Sequence, residues 1–262
     1  MRALSIAATG MAAQELNVDV ISNNIANMNT IGYKRQEANF EDLLYEDVKR
    51  PGAQSSDTGT VIPTGIQIGA GVATSSVYRI TLQGSLTNTG NQLDMAVNGA
   101  GYFQVQLPSG ETAYTRAGNF SLNDNGVLVT SDGYTVLPQT TIPTTATKVT
   151  ISASGQIQVT LPGQAPTSQV GQLQLANFAN PAGLEAMGSN LFLTSGASGQ
   201  PVTGTPATTS FGSIQQGYTE ASNVDSVTEI SNLIIAQRAY EMNSKVITTA
   251  DQMLQSTNTM KS

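Results

Sequence analysis

The segment LSIAATGMAAQELNVDVISNNIANM, residues 4–28, sets the reading of this chain. Positions 4, 7, 11, 14, 18, 21, 25 and 28 hold Leu4, Ala7, Met11, Gln14, Val18, Ile21, Ile25 and Met28, seven apolar residues of eight. Spacings of three and four alternate, which makes a heptad seam: a narrow apolar stripe that is buried only against another helix. A second long helical pattern covers residues 223–260. Its apolar residues form two adjacent stripes, one of Ile235, Ala239, Met242, Val246, Met253 and Met260, the other of Tyr240, Ile247, Ala250 and Leu254. Two stripes can serve two partners, the first helix of the same chain and a neighbouring subunit. At ~1.5 Å per residue each helix spans roughly 35–55 Å.

The boundaries follow from capping chemistry. Asn27-Met28-Asn29-Thr30-Ile31-Gly32 closes the first helix, with Gly32 as the left-handed residue after its end. Ser226-x-x-Glu229 reads as a capping box for the last helix, with Asn223 as an alternative cap.

Between the helices the periodicity changes. Residues 50–76 are rich in Gly, Pro, Ser and Thr, with Pro51-Gly52 as a turn and Ile66 and Ile68 alternating as in a short strand. Two readings stay open, a flexible linker and an ordered extended arm whose Ile and Val residues are covered by neighbours. From Leu93 to Leu137 a meander is expected. Tyr102–Leu107 alternates, and Pro108-Ser109-Gly110, Asp124-Asn125-Gly126 and Ser131-Asp132-Gly133 mark its turns. Further strands are expected at Val149–Ile151, Ile157–Leu161 and Val170–Leu175, and an exposed loop over 195–210. The expected fold class is α+β: long N- and C-terminal helices pairing as a coiled coil, with a β-rich middle, meander or barrel-like.

Composition narrows the function. Among 262 residues there is no Cys, His or Trp, so disulfides, thiolate chemistry and the commonest general base are excluded. With 11 Lys+Arg against 18 Asp+Glu, no basic stripe exists to neutralise phosphates, and nucleic acid is not an expected partner. Charged residues make up only 11%; the polar balance is Ser, Thr, Asn, Gln and Gly, as in proteins whose surfaces meet neighbours. No run of eighteen apolar residues suggests insertion into a membrane. The short apolar run after Met1-Arg2 is broken by Ser5, Thr9 and Gly10, so no cleaved signal peptide is expected. Glu111, Asp124 and Asp132 share the meander, but Asp124 and Asp132 sit where turns favour Asp, which argues against paired acid–base catalysis. Neither a cofactor, a metal nor a catalytic site is expected.

Residues 21–35, Ile21 through Arg35, resemble the N-terminal signature of bacterial flagellar axial proteins, the rod and hook subunits. Gly99–Val105, Tyr114–Phe120, Gln237–Lys245 and Asp251–Leu254 resemble further blocks of that family. Phe40–Tyr45, Pro51–Ser56, Gln67–Val72, Asn180–Leu184 and Gly217–Val224 resemble the distal-rod branch more than the hook; Asp225-Ser226 departs from the Asn-Val expected there.

The resemblance implies a helical homo-polymer: a straight, hollow, rigid drive shaft that crosses the periplasm, carries torque to the hook and lets export substrates through its channel. Terminal helices would form its inner core. Implied partners are proximal rod proteins, the hook protein, the ring proteins of the peptidoglycan and outer-membrane layers, and the flagellar type III export apparatus. The expected core residues are Leu4, Met11, Val18, Ile21, Ile25 and Met28, with Ile235, Ala239, Met242, Val246, Ile247, Met253 and Leu254. The family motif contributes Asn23, Asn24, Asn27, Gly32 and Tyr33. Two readings of the cluster Asn23, Asn24, Asn27 and Asn29 stay open: a frayed helix end, or, since buried Asn must be paired, side chains bonded to neighbours. The segment 46–70, with Pro51, Gly52, Pro63 and Gly65, is expected to stiffen the polymer between subunits.

The expected domains are 1–33 with 222–262, 34–80 with 208–221, and 81–207. Two alternatives remain: a hook or proximal rod subunit, and a secreted β-rich binding module dimerised by a coiled coil.

Overall fold

The computed structural model describes residues 2–50, 64–162 and 168–260. The chain divides into two compact units, one of Met1–Ile25, Gln36–Tyr78 and Asp225–Ser262, the other of Ala26–Arg35 and Arg79–Val224.

The first unit carries both long helices, α1 (Arg2–Ala26) and α2 (Ser226–Met260). Gly10 lies inside α1, where glycine ordinarily weakens a helix. Its reason is space: a Cβ there would sit 2.9 Å from Nδ2 of Asn243 on α2. Asp225 caps α2, which corrects the reading of Ser226 and Asn223 as caps. Its Oδ1 accepts the Val227 N–H at 3.3 Å and its Oδ2 accepts the Thr228 hydroxyl at 2.5 Å. These bonds hold the Asp225 carboxyl below its ordinary range, the Thr228 hydroxyl contributing most. Glu229, read as the closing half of a capping box, is instead buried, with Oε2 bonded to Asn24.

The same unit holds a two-stranded ribbon. Gln36–Asp42 pairs with Val72–Arg79, and Tyr45–Lys49 pairs antiparallel with Ile66–Gly69. Two backbone bonds join the halves, Leu43 N–H to Gly71 O at 2.9 Å and Ala70 N–H to Leu44 O at 3.0 Å. Gly71 has φ +128°, and a Cβ there would lie 2.2 Å from Oγ1 of Thr9. Only glycine lets the ribbon pass this close to α1.

The second unit is the β-rich part. Its main sheet runs Glu185–Gly188, Leu191–Leu193, Thr112–Thr115, Tyr102–Gln106, Thr135–Leu137, Leu128–Val129, Ser121–Leu122. Leu175–Asn177 shares an edge of Tyr102–Gln106 and pairs outward with Val202–Gly204. A separate three-stranded sheet holds Lys148–Ile151, Gln156–Thr160 and Ser168–Gln172. All three expected turns form: Gly110, Gly126 and Gly133 have φ +90°, +73° and +85° and donate to Leu107, Asn123 and Thr130 carbonyls.

Tyr102–Gln106 is buried on both faces rather than one. Phe103 and Val105 are fully buried, and Phe103 joins a core with Met95, Phe120, Leu128, Ile157 and Leu175. Tyr102 points the other way, into a cluster with Tyr114, Phe178 and Phe192. Its rings meet edge to face, Tyr114 to Phe178 at 4.8 Å and Tyr102 to Phe178 at 5.7 Å, the arrangement that ring quadrupoles favour. The expected loop over 195–210 is corrected: Val202–Gly204 is a strand, and Ser198 is fully buried.

Candidate functional site

The residues expected to carry assembly lie on the two long helices and on the ribbon, and on each helix they fall on two faces. On α1 the buried residues are Ala7, Ala13, Val20, Ile21 and Asn24. Of the seam residues, Ala7 and Ile21 are buried, Leu4, Met11, Val18 and Ile25 are half-buried, and Met28, beyond the helix, is exposed. The buried face thus overlaps the seam at Ala7 and Ile21, while Ala13, Val20 and Asn24 each sit one residue before a seam position.

On α2 the buried residues Glu229, Ala236 and Ala250, with half-buried Asn243 between them, recur every seven positions. Ala239 and Ile247 are half-buried beside them. Ile235, Met242, Val246, Met253 and Leu254 stand in solvent, with Met242 63% and Met253 61% exposed. An apolar stripe of this length open to water marks a surface meant to be covered.

Helix contacts are polar as well as apolar. Asn24 Nδ2 donates to Glu229 Oε2 at 3.1 Å and to Gln36 O at 2.8 Å, while Asn24 Oδ1 accepts the Gln36 N–H at 2.9 Å. A shallow groove of about 340 Å³ is lined by Glu15, Val18, Asp19, Gln237, Tyr240 and Glu241.

The ribbon offers a second open surface. Every residue of Tyr45–Lys49 is exposed, and Leu44 is 89% exposed. Val48, Ile66 and Ile68 share that exposure. Two strands without a third, bearing apolar residues in water, are marginal alone. Arg2 forms an ion pair with Glu46 near the ribbon's base. Gly65 precedes the returning strand and is half-buried; Pro51, Gly52 and Pro63 lie outside the described residues.

The family-motif residues divide between roles. Asn24 is buried, Asn27 half-buried and Asn23 exposed. Gly32 has φ +71°, and a Cβ there would lie 2.7 Å from the Ala117 nitrogen. Its N–H donates to the Glu220 carbonyl at 2.8 Å, and Asn190 Nδ2 donates to Ile31 O at 3.1 Å. Tyr33 is half-buried.

A buried charge cluster next to this motif carried no local signal. Lys34 Nζ donates to Glu220 Oε1 at 2.5 Å and to Leu82 O at 2.8 Å. Arg116 Nη1 lies 3.6 Å from Glu220 Oε2, and Arg116 Nη2 donates to Gly99 O at 2.7 Å. Burial pushes the Lys34 ammonium below its ordinary range, while Glu220 opposes that shift. Glu220 Oε2 has no hydrogen-bond partner, so its compensation is the charge of Arg116. Partners 186 positions apart could not be matched by spacing alone.

Glu111, Asp124 and Asp132 are exposed at turns or beside them. Among the described residues no helix is long and apolar enough to cross a membrane.

The chain matches three family models. Residues 4–34 match "Flagella basal body rod protein", 96–159 match "Flagellar hook protein FlgE/F/G D1 domain", and 215–260 match "Flagellar basal body rod FlgEFG protein C-terminal". The flagellar basal-body rod protein FlgG of Caulobacter vibrioides is 62% identical over 262 residues, covering all of both chains. FlgG of Agrobacterium fabrum is 54% identical and FlgG of Bacillus subtilis 37%, each over 97% of both chains. With relatives this similar along its whole length, the chain belongs to the FlgG family of flagellar basal-body rod proteins.

Proposed function

We propose that this protein is the structural subunit of the flagellar distal rod, a straight, hollow shaft that passes torque to the hook and exported proteins through its channel. What carries the reading is likeness to rod proteins along the whole chain, 62% identical over all 262 residues for the Caulobacter vibrioides protein. The open apolar stripe on α2 and the uncovered ribbon support it, since both are surfaces that a second copy of the chain would bury.

In this reading α1 and α2 pair as a coiled coil in the inner wall. The buried faces close within the chain, and Ile235, Met242, Val246, Met253 and Leu254 meet neighbouring subunits. Half-buried Leu4, Met11, Val18 and Ile25 complete those contacts. The rest of the chain, 81–207 above all, forms the outer layer. The segment 46–70 wedges between adjacent subunits and limits their sliding. Proximal rod and hook proteins continue the shaft at its ends, ring proteins surround it in the periplasm, and the type III apparatus delivers the chain.

Electron microscopy of the assembled protein tests this. Straight tubes are expected from the full chain, and flexible or curved ones after deletion of 46–64. A stable closed dimer that never forms tubes would overturn the rod reading. Equally straight, stiff tubes after the deletion would overturn the role of the arm.

A further inference from the structure

We propose that Asn24, with Glu229 and the backbone of Gln36, fixes the register in which α1 and α2 pair. The inference rests on the helix pairing proposed above. Asn24 is 1% exposed and Glu229 2%. The Asn24 amide meets Gln36 as a neighbouring strand would, accepting from its N–H and donating to its carbonyl. Its remaining donor capacity goes to Glu229. One side chain therefore ties together the end of α1, the start of the ribbon and the first turn of α2.

Two contacts define a single antiparallel register. Gly10 lies fourteen residues before Asn24, and its near neighbour Asn243 lies fourteen residues after Glu229. Elsewhere the buried faces are alanine-rich: Ala7 and Ala13 on α1, Ala236 and Ala250 on α2. On α2 the small residues Ala236 and Ala250 stand with Asn243 on a seven-residue repeat, which fits about as well after a slip of one heptad. Asn24 and Glu229 do not. A slip of seven places Asn24 against Ala236 and breaks the Asn24–Glu229 bond, and losing a hydrogen bond between buried polar groups is costly. A polar pair at one core position is a known means of selecting register in coiled coils. Because the pair sits where both helices leave the rest of the chain, it aligns them from the root outward.

The absence of Cys makes the register measurable. Gly10→Cys with Asn243→Cys reports the native register. Gly10→Cys with Ala250→Cys reports a slip of one heptad, because in the native register that pair is displaced by roughly 10 Å along the helix, beyond disulfide reach. Both pairs are oxidised in assembled polymer, and intrachain closure is read from the mobility of the dissolved, unreduced subunit. In the otherwise unsubstituted chain only the native pair closes; if it does not close, the helix pairing itself falls. With Asn24→Leu and Glu229→Leu added, the slipped pair closes at a tenth of the native yield or more. If only the native pair still closes, the register proposal is overturned. Should that variant not assemble, Glu229→Leu alone serves: a slipped product above background supports the lock, and none overturns it. Glu229→Gln, which keeps an oxygen for the Asn24 amide, retains the native register alone.

Discussion

The two units of this chain solve the problem of burial in opposite ways. In the unit of Ala26–Arg35 and Arg79–Val224, core residues such as Phe103, Phe120 and Ile157 leave almost no surface exposed, and strands bury both faces. In the unit of the two helices and the ribbon, the buried residues are mostly Ala, Asn and Glu, while Leu44, Ile235 and Met253 face water. Of twenty-one large apolar residues exposed among the described residues, seventeen belong to the helical and ribbon unit. On the proposed rod reading, a unit that displays these large residues is completed by neighbouring subunits. The contrast separates two kinds of stability, one belonging to a single chain and one belonging to the assembly.

The largest expected effect breaks the assembly side of this contrast and leaves the other intact. Replacing Ile235, Met242 and Met253 by Ser removes three side chains, each worth about 1.5–3 kcal/mol when fully buried. Polymer yield is expected to fall at least a thousandfold by sedimentation, with the melting temperature of the β-rich unit unchanged. Normal polymer would show that this stripe is not an interface.

Next comes the converse. Glu220→Gln leaves Lys34 and Arg116 without their counter-charge, and breaking a buried pair in this way costs about 3–5 kcal/mol. Urea denaturation of the β-rich unit should detect that loss; a change below 1 kcal/mol would remove Glu220 from the account.

Gly32→Ala is expected to cost about 1–3 kcal/mol, because the residue is held at φ +71° against the Ala117 backbone. The same denaturation checks it.

The smallest effect concerns pH. Asp225 titrates below its ordinary 3.8 because its charged form holds the Thr228 hydroxyl and the Val227 N–H. The folded chain therefore binds this proton less readily than the unfolded chain, so the cap's contribution is present above about pH 4 and lost as pH falls through the folded value. Helicity measured by circular dichroism should fall in that acid range, and Asp225→Asn should remove the cap's share of the change.

What could be read in advance follows the range of the forces involved. Turns at Gly110, Gly126 and Gly133 were legible because backbone conformation there depends on the residue itself. The strand Val202–Gly204 was not, since its pairing with Leu175–Asn177 rather than its composition makes it a strand. Glu229 looked like half of a capping box, but Asn24, 205 positions away, decides where its carboxylate goes. Spacing identified the helices and their apolar stripes. It could not say which stripe the chain buries itself, because Gly10, Ala236 and Asn243 carry little hydrophobic signal yet permit the closest approach. The Lys34–Glu220–Arg116 cluster was hidden for the same reason, its members meeting only after the fold has formed.

Amide hydrogen exchange on free subunits and on polymer tests the central claim most directly, that one unit is complete alone and the other is completed by neighbours. Slow exchange at Met95–Val105 in both states is expected, with fast exchange over Arg2–Ala26, Tyr45–Lys49 and Ser226–Met260 in the free subunit becoming slow in the polymer. Equal protection of the two helices before and after assembly would contradict the account.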